Sequence, residues 1–256
     1  MSKILKTDNH VIPYIEKMPE KESKGTVVLI HGIFVDKNEE GSFTRLSENL
    51  SEEGFRTIRF DYSGHGEHKT KPEEMRFSSI LLDTYRMIEY ANNTTDKEIH
   101  IVASSFGAGI YLSYLKLNKS IKPDRIVMWN PAANFSKTFI EPEGKKLKEI
   151  FSKKKIDDLY ENGVKNFHPT MDFPFSLEFM MELELYKPYE ELNNLNAPTR
   201  IVHGNKDEEL PHEMVKEQSK KSSSIEFHTI NGAKHGFPEK ESEKEAIQKT
   251  VEFFKD

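Results

Sequence analysis

The sequence contains no cysteine. This absence excludes a disulfide framework, a thiolate metal site and a cysteine nucleophile. An excess of basic residues is also missing, because the formal net charge is −6 at pH 7. A nucleic-acid binder that depends on an overall basic surface is therefore not expected. Acidic and basic residues are mixed along the chain, which is typical of a solvated surface.

Long apolar runs are missing as well. The first ten residues lack the apolar core of a signal peptide, and no apolar run approaches the length that crosses a membrane. We therefore expect a soluble, cytoplasmic protein with neither a nucleic-acid partner nor a membrane partner. The 256 residues, 36% of them apolar, are enough for one large domain with a substantial core.

Short apolar and β-branched segments alternate with amphipathic ones along most of the chain. The predicted strands, the first of them at a sheet edge, are residues 11–15, 26–30, 56–60, 99–102, 125–129, 199–203 and 225–230. The predicted helices are residues 42–50, a long helix capped by Ser78 or Ser79, and residues 108–117, 211–218 and 240–254. Strands separated by helices predict an α/β protein with a doubly wound, mostly parallel sheet, whose ligands bind at the carboxyl ends of the strands.

The segment 98–109, EIHIVASSFGAG, combines a short strand, a turn of small residues and an apolar helix. This is the context of a nucleophile elbow, in which a serine occupies a strained turn above the sheet. Ser105 fits the G-x-S-x-G pattern because Gly107 follows it by two residues, whereas Ser104 has no glycine at that spacing. Ala103 replaces the first glycine of the pattern. The alternative is that the two serines merely cap an ordinary helix.

A serine nucleophile needs a base to remove its proton, and the base works best beside a carboxylate. His235 is the best candidate for the base, because it follows the last strand among small residues near the C-terminus. Asp207 is the best candidate for the acid, because it lies at a strand exit. Its rivals, Glu208 and Glu209, are expected to be solvated charges. The order Ser105, Asp207, His235 is the chain order of elbow-type serine hydrolases.

Backbone donors for a developing oxyanion can come from two segments. One donor is the N–H of Phe106, at the start of the helix after the elbow serine. The other is the N–H of Ile33, with that of Phe34 as the alternative. His31, in the same loop, is expected to hold the loop with its ring. Asp61 is expected to cap a turn near the site.

Five motifs follow one another along the chain, from about residue 25 to its end: His31-Gly32, Asp61-Tyr62-Ser63-Gly64-His65-Gly66, the elbow around Ser105, His203-Gly204-x-x-Asp207 and Gly232-Ala233-x-His235. In this order they resemble the α/β-hydrolase superfamily. More narrowly, Asn130-Pro131-Ala132-Ala133 and the segment after it resemble cinnamoyl and feruloyl esterases and related carboxylesterases. The resemblance implies an α/β-hydrolase fold and assigns the site residues: Ser105 as nucleophile, Asp207 as acid, His235 as base, and Ile33 and Phe106 as oxyanion donors.

The resemblance also implies that residues 132–188, where the alternation of strands and helices lapses, form a cap over the site. The core domain then comprises residues 1–131 and 189–256. The predicted cap holds seven of the 17 phenylalanines. Most of them are expected to bury the cap on the core, and the rest to line an apolar pocket. In cinnamoyl esterases a polar cap residue can meet the phenolic hydroxyl of the substrate, and the candidates here are Asp157, Asp158 and Asp172.

These features predict a serine hydrolase that cleaves carboxylic esters of small to medium apolar or aromatic acyl groups through an acyl-enzyme. No cofactor and no metal ion are needed, and the expected partner is a small-molecule ester. The expected oligomeric state is a monomer or a homodimer. The same residues can also serve an acyl thioesterase or a peptidase, because the cap and the pocket select the leaving group. A non-catalytic ligand-binding protein of the same fold is the remaining alternative.

Overall fold

The computed structural model describes residues 1–7, 10–95, 97–118 and 120–255. Its strands in chain order are β1 (Lys3–Thr7), β2 (His10–Lys17), β3 (Gly25–Ile30), β4 (Phe55–Phe60), β5 (Glu98–Ser104), β6 (Arg125–Trp129), β7 (Val164–Asn166), β8 (Pro174–Ser176), β9 (Thr199–Gly204) and β10 (Ile225–Ile230). All except β7 and β8 form one sheet in the order β1-β2-β4-β3-β5-β6-β9-β10. The pairs β1–β2 and β2–β4 are antiparallel and the remaining pairs are parallel. The predicted α/β class with a mostly parallel sheet is confirmed.

Helices follow most of the parallel strands. In chain order they are α1 (Ser42–Glu52), α2 (Phe77–Asn93), α3 (Phe106–Leu117), α4 (Lys145–Ile150), α5 (Lys153–Asn162), α6 (Leu177–Leu185), α7 (Pro188–Asn193), α8 (His212–Ser219) and α9 (Lys240–Lys255). In the part of the chain that the structure describes, no helix combines the length and the apolar character needed to span a bilayer.

Helices cover both faces of the sheet. Successive residues of a strand point to opposite faces, so one strand contributes side chains to both cores. In β3, Val27 and Leu29 belong to the core that α1 and α9 complete, whereas Val28 and Ile30 belong to the core on the side of α2 and α3. All four side chains are fully buried. A strand buried on both faces is almost continuously apolar, which explains the run VVLI at residues 27–30.

Two predictions for the N-terminal half are wrong. The strand predicted at residues 11–15 is β2, and it does not lie at the edge, because the mostly exposed β1 pairs with its outer side. The long helix predicted to be capped by Ser78 or Ser79 begins at Phe77, and its N-cap residue is Arg76. The free N–H of Ser78 donates to the carboxylate of Glu182 in α6 at 2.8 Å. An acceptor distant in sequence therefore binds a backbone N–H of the first turn. Local residue spacing cannot reveal such an acceptor.

Residues 132–188, which we call the insert, run from the loop after β6 to the first residue of α7. The insert contains a π-helical turn (Ser136–Ile140), α4, α5, the antiparallel pair β7–β8 and α6. Its seven phenylalanines, all buried, are Phe135, Phe139, Phe151, Phe167, Phe173, Phe175 and Phe179. Three of them pack on Phe106 at the start of α3, with ring centroids 5.4 Å (Phe135), 5.5 Å (Phe139) and 6.2 Å (Phe179) from its ring. The aromatic residues of the insert thus join it to the helix that follows the elbow.

The register of the central strands brings several loops to one edge of the sheet. Ser104 at the end of β5 pairs with Trp129 at the end of β6, and Trp129 pairs with Val202 in β9. β10 ends beside the last residue of β9, Gly204. The loops that leave β5, β6, β9 and β10 therefore emerge together at the carboxyl edge, where ligands bind in sheets of this kind.

Candidate active site

Ser105 occupies a strained turn between β5 and α3. Its φ of 48° and ψ of −116° are unusual for a residue with a side chain, and such a conformation costs on the order of 1–3 kcal/mol. The last residue of β6 and the loop after it fix this backbone. The N–H of Ser105 donates to the carbonyl of Trp129 at 2.8 Å, and its carbonyl accepts from the N–H of Ala132 at 2.9 Å. Strain held in place from a second loop is a mark of functional residues.

The side chain of Ser105 does not cap α3. Its Oγ instead lies 3.0 Å from Nε2 of His235. On the other side of the same ring, Nδ1 lies 2.7 Å from Oδ2 of Asp207. The structure therefore brings together the three residues that the sequence places at separate strand exits. In the tautomer protonated at Nδ1, the hydroxyl donates to Nε2 and Nδ1–H donates to the carboxylate.

The carboxylate of Asp207 is surrounded by donors. Its Oδ1 accepts from the backbone N–H groups of Glu209 and Leu210, each at 2.8 Å. Its Oδ2 accepts from Nδ2 of Asn130 at 3.0 Å, in addition to the bond from His235. Burial opposes ionisation, but the charge and the hydrogen bond of His235 outweigh it and hold the pKa of Asp207 well below its usual range.

His235 carries a perturbed imidazole. Burial lowers its pKa, but the carboxylates of Asp207 and Glu209 outweigh burial and raise the pKa of His235 above the ordinary histidine value. Glu209 Oε2 lies 3.7 Å from Nε2, and the other oxygen of the same carboxylate, Oε1, pairs with Nζ of Lys146 at 2.5 Å. Glu208 is exposed. Of the three acids at this strand exit, Asp207 is the one that hydrogen-bonds to Nδ1.

The predicted oxyanion donors belong to two segments that meet at Ser105. Phe106 is the first residue of α3, so its N–H has no partner inside the helix. The loop after β3 passes beside the serine, because a Cβ built on Gly32 would lie 3.4 Å from Cβ of Ser105. Within the described ranges, no hydrogen bond of the protein uses the N–H of Ile33 or of Phe106. Neither amide is therefore occupied by a hydrogen bond within the described part of the protein.

Two side chains support the loop after β3. The imidazole of His31 contacts the carbonyl of Gly32 through Nδ1 at 2.7 Å and stacks on Tyr62 with ring centroids 4.0 Å apart. Burial lowers the pKa of His31 to about 3, so the ring is neutral near pH 7. Asp61 accepts from the backbone N–H of Lys37 at 2.8 Å and from its Nζ at 2.5 Å. The contacts of His31 agree with its expected role of holding the loop. Asp61 was expected to cap its own turn, and its Oδ2 does accept from the backbone N–H of Glu67 at 2.9 Å, so it links that turn to the loop after β3.

The surroundings of the site differ between its two sides. A cavity of about 120 Å³ opens beside His235, and its charged lining residues are Lys146, Lys206, Glu208, Glu209 and Lys234. On the side of the loop after β3, the ring of Phe34 stacks on Phe175 at 5.6 Å and meets Phe173 edge-on at 5.2 Å. The site thus has a polar opening next to the histidine and aromatic side chains next to the loop.

The three aspartates predicted as polar cap contacts lie outside the aromatic interior of the insert. Asp157 and Asp172 are exposed, and Asp158 forms an ion pair with Lys165 at 2.6 Å. Their position at the surface gives no support to a contact with a substrate bound at Ser105.

Three residues have contacts at the site that were not predicted from the sequence. Asn130 (φ 43°) donates to Asp207, and His203 Nε2 lies 3.2 Å from Oδ2 of the same carboxylate. Both lie at the carboxyl end of a strand. This position in the sequence is the feature from which a place near the site could be predicted. Glu39 accepts hydrogen bonds from Gly32 and Ser104. Its sequence neighbourhood, an acidic pair before a helix, is typical of a solvated surface and offers no such signal.

Comparisons with known proteins agree with this architecture. The model of the serine aminopeptidase S33 family (Hydrolase_4) matches residues 21–187. The AB hydrolase superfamily protein YisY of Bacillus subtilis is 24% identical over 267 residues, which covers 95% of this chain and 96% of that protein. The structure of Est1E from Butyrivibrio proteoclasticus with bound ferulic acid has a TM-score of 0.80 at 20% identity and covers 98% of this chain and 97% of its own. The esterase EaEST of Exiguobacterium antarcticum has a TM-score of 0.75 at 19% identity, with 100% of each chain covered.

The likeness to solved structures concerns the fold, and the family model spans more than half of the chain. The motifs at the strand exits predicted the same superfamily, and that prediction is confirmed. The chain therefore belongs to the serine aminopeptidase S33 family and is a hydrolase of the α/β-hydrolase fold.

Proposed function

We propose that this chain hydrolyses carboxylic esters of small to medium apolar or aromatic acyl groups, with Ser105 as nucleophile, His235 as base and acid, and Asp207 as the carboxylate that orients the histidine. The observation that carries the proposal is the line of two hydrogen bonds, 3.0 Å from Ser105 Oγ to His235 Nε2 and 2.7 Å from Nδ1 to Asp207 Oδ2. A serine hydroxyl becomes nucleophilic at neutral pH only when an adjacent base accepts its proton. This line supplies the base and defines its tautomer.

In the first half of the reaction, Ser105 Oγ attacks the ester carbonyl carbon and its proton passes to Nε2 of His235. The carbonyl oxygen becomes an oxyanion that accepts from the N–H groups of Ile33 and Phe106. The imidazolium is stabilised by Asp207, which remains a carboxylate. The tetrahedral intermediate collapses, the C–O bond to the alcohol breaks, and Nε2 returns the proton to the leaving alkoxide.

In the second half, water attacks the acyl group on Ser105. His235 accepts a proton from the water, and the same two N–H groups hold the second oxyanion. Collapse of this intermediate releases the carboxylic acid and returns the proton to Ser105 Oγ. The cavity lined by charged side chains lies beside His235 and suits the departing alcohol and the entering water.

The insert is proposed to be the cap, with residues 1–131 and 189–256 as the core domain. Contacts between the insert and both oxyanion segments support this division. Phe175 of the insert stacks on Phe34, and Phe135 and Phe139 pack on Phe106. A cap that contacts both segments excludes water from the developing charge.

An apolar or aromatic acyl group fits the residues beside the loop. Ile33 and Phe34 are only partly buried, and Phe34 meets aromatic side chains of the insert. Ligand sites of this type are mostly apolar, with a few polar groups that set orientation. Est1E shares the fold, and its structure contains bound ferulic acid, which is an aromatic acid.

The family description, serine aminopeptidase, makes amide cleavage the second candidate. An aminopeptidase needs an acid that binds the ammonium group of its substrate. Glu209 is the acid beside His235 Nε2, at 3.7 Å, but it already pairs with Lys146 at 2.5 Å. A carboxylate that has a cationic partner is a poor receptor for a second cation, so the ester reaction is favoured.

A substrate panel tests the proposal. It comprises p-nitrophenyl acetate, butyrate and octanoate, methyl ferulate, an acyl-CoA and an amino-acid p-nitroanilide, all assayed on one preparation. We expect kcat/KM for the best ester to exceed that for the thioester and the anilide by at least about tenfold, a difference that one pocket can supply. A preference for the acyl-CoA would establish a thioesterase instead, and a preference for the anilide would establish a peptidase.

A further inference from the structure

Glu39 is a buried acid that the proposed mechanism does not use. Its Oε2 accepts from the backbone N–H of Gly32 at 2.7 Å, and its Oε1 accepts from the hydroxyl of Ser104 at 2.7 Å. The residue is 9% exposed. A buried carboxylate is costly unless it is hydrogen-bonded, and Glu39 has one donor on each oxygen.

The two donors belong to the two segments that form the proposed oxyanion site. Gly32 directly precedes Ile33, and Ser104 directly precedes the nucleophile. A Cβ built on Gly32 would lie 3.3 Å from Oε1 of Glu39 and 3.4 Å from Cβ of Ser105. The carboxylate of Glu39 therefore connects the loop after β3 to the elbow. Its two donors are the residues directly before the oxyanion donor Ile33 and the nucleophile Ser105.

The backbone at Glu39 is held in an unfavourable conformation. Glu39 has a φ of 48°, and Glu40 follows with a φ of 52°. The left-handed conformation costs roughly 1–2 kcal/mol for each residue with a side chain. The turn is closed by the bonds from Glu39 N–H to the carbonyl of Asp36 and from Gly41 N–H to the carbonyl of Asn38, both at 2.9 Å. Consecutive strained residues that direct an acid inward indicate a function for that acid.

The charge of Glu39 acts on the imidazole as well. Burial raises the pKa of Glu39 to about 7, although the bonds from Gly32 and Ser104 oppose this effect. His235 favours the ionised acid, and the adjacent Glu40 disfavours it. In return the carboxylate of Glu39, after those of Asp207 and Glu209, raises the pKa of His235.

We propose that Glu39 is a positioning residue for the reaction at Ser105, because its two hydrogen bonds set the distance between the oxyanion loop and the elbow. This inference rests on the proposed function of Ser105. Oxyanion donors stabilise the transition state only within a range of about 0.4 Å in distance, and a displacement of about 1 Å can cost 10²-fold in rate. A bridge that fixes both segments therefore acts on kcat through Ile33 and Phe106.

The test compares Glu39→Gln, Glu39→Leu and the control Glu40→Gln, which removes an exposed acid from the same turn. Glu39→Leu removes both bonds, and we expect kcat to fall about 10- to 100-fold with KM nearly unchanged. Glu39→Gln keeps an acceptor for Gly32 and a donor for Ser104, and kcat is expected to stay within about fivefold of the wild type. The control is expected to match the wild type.

The pH profile supplies a readout that a purely structural role would not move. His235 must be neutral to accept the proton, so kcat/KM rises as the pH passes upward through the pKa of His235. Removal of the negative charge of Glu39 destabilises the imidazolium and lowers that pKa. Both Glu39 variants are therefore expected to move the acidic limb to lower pH, by about half a unit. The limb of Glu40→Gln is expected to stay in place.

Titration of the reactive serine with a fluorophosphonate gives the folded, competent fraction of each preparation. The inference is overturned if Glu39→Leu keeps the wild-type kcat per labelled site, or if Glu40→Gln loses as much as Glu39→Leu. If Glu39→Leu does not fold, Ser104→Ala decides, because it removes one of the two hydrogen bonds of Glu39; a wild-type kcat per labelled site in that variant overturns the inference. Wild-type protein that the fluorophosphonate does not label would refute the proposed function itself, which distinguishes the two failures.

Discussion

Replacement of Ser105 by alanine is expected to lower kcat for p-nitrophenyl butyrate by about 10⁴-fold or more, because covalent attack is lost and only binding and oxyanion stabilisation remain. The protein is expected to stay folded, since the strained backbone at position 105 is held by main-chain bonds to Trp129 and Ala132. Initial rates and the thermal unfolding midpoint, measured on the same preparation, check both expectations.

Ser104→Ala is the matched control. It removes a neighbouring, buried hydroxyl and leaves Ser105 and His235 in contact. The hydroxyl of Ser104 donates one of the two hydrogen bonds that Glu39 accepts. Because the substitution removes this bond, we expect kcat to fall by up to about tenfold. Abolished turnover in Ser104→Ala together with wild-type turnover in Ser105→Ala would show that the nucleophile is misassigned.

Asp207→Asn is expected to lower kcat by about 10⁴-fold with little change in KM, because it reverses the tautomer of His235. The backbone N–H groups of Glu209 and Leu210 require an acceptor at the Oδ1 position. The amide nitrogen of the substituted side chain is then placed toward Nδ1 of His235, which must become the acceptor. Nε2 carries the proton in that tautomer and cannot accept another from Ser105.

Glu209→Gln is the control for this substitution. Its carboxylate lies 3.7 Å from Nε2 but does not contact Nδ1, so the tautomer is retained. The expected effect is a shift of the acidic limb to lower pH, because one of the acids that raise the pKa of His235 is removed. A loss in Glu209→Gln as large as that in Asp207→Asn would assign the orienting role to Glu209.

The main site residues could be predicted because this fold places the carboxyl ends of its parallel strands side by side. Ser105, Asp207 and His235 are distant in sequence, yet each follows a strand of one mostly parallel sheet. The carboxyl ends of such strands meet at one edge, so polar residues at those ends are expected to be neighbours. The contacts at 3.0 Å and 2.7 Å are consistent with that expectation.

Features that depend on partners distant in sequence could not be predicted. In the first turn of α2 the backbone N–H of Ser78 donates to Glu182, so Ser78 and Ser79 suggest a cap that the helix does not have. β1 has no buried face, so its sequence lacks the alternation of apolar and polar residues that predicts a strand. Only its pairing with β2 in the structure identifies it as one. In both cases tertiary contacts replace the local signal.

Glu39 illustrates the same limit at the site. Acidic residues before a helix are ordinarily solvated, and nothing in the segment NEEGSF separates Glu39 from Glu40. The structure separates them, because one is buried against Gly32 and Ser104 and the other is exposed. Two successive left-handed residues without glycine produce this difference, and the sequence favours no such conformation.

The most direct test of the central claim, that Ser105 is the nucleophile, is to treat the wild-type protein with a fluorophosphonate and locate the adduct by mass spectrometry of its peptides. The account predicts one adduct per chain, on Ser105, and a loss of esterase activity in proportion to labelling. An adduct on another residue, or a fully active and unlabelled protein, would contradict it.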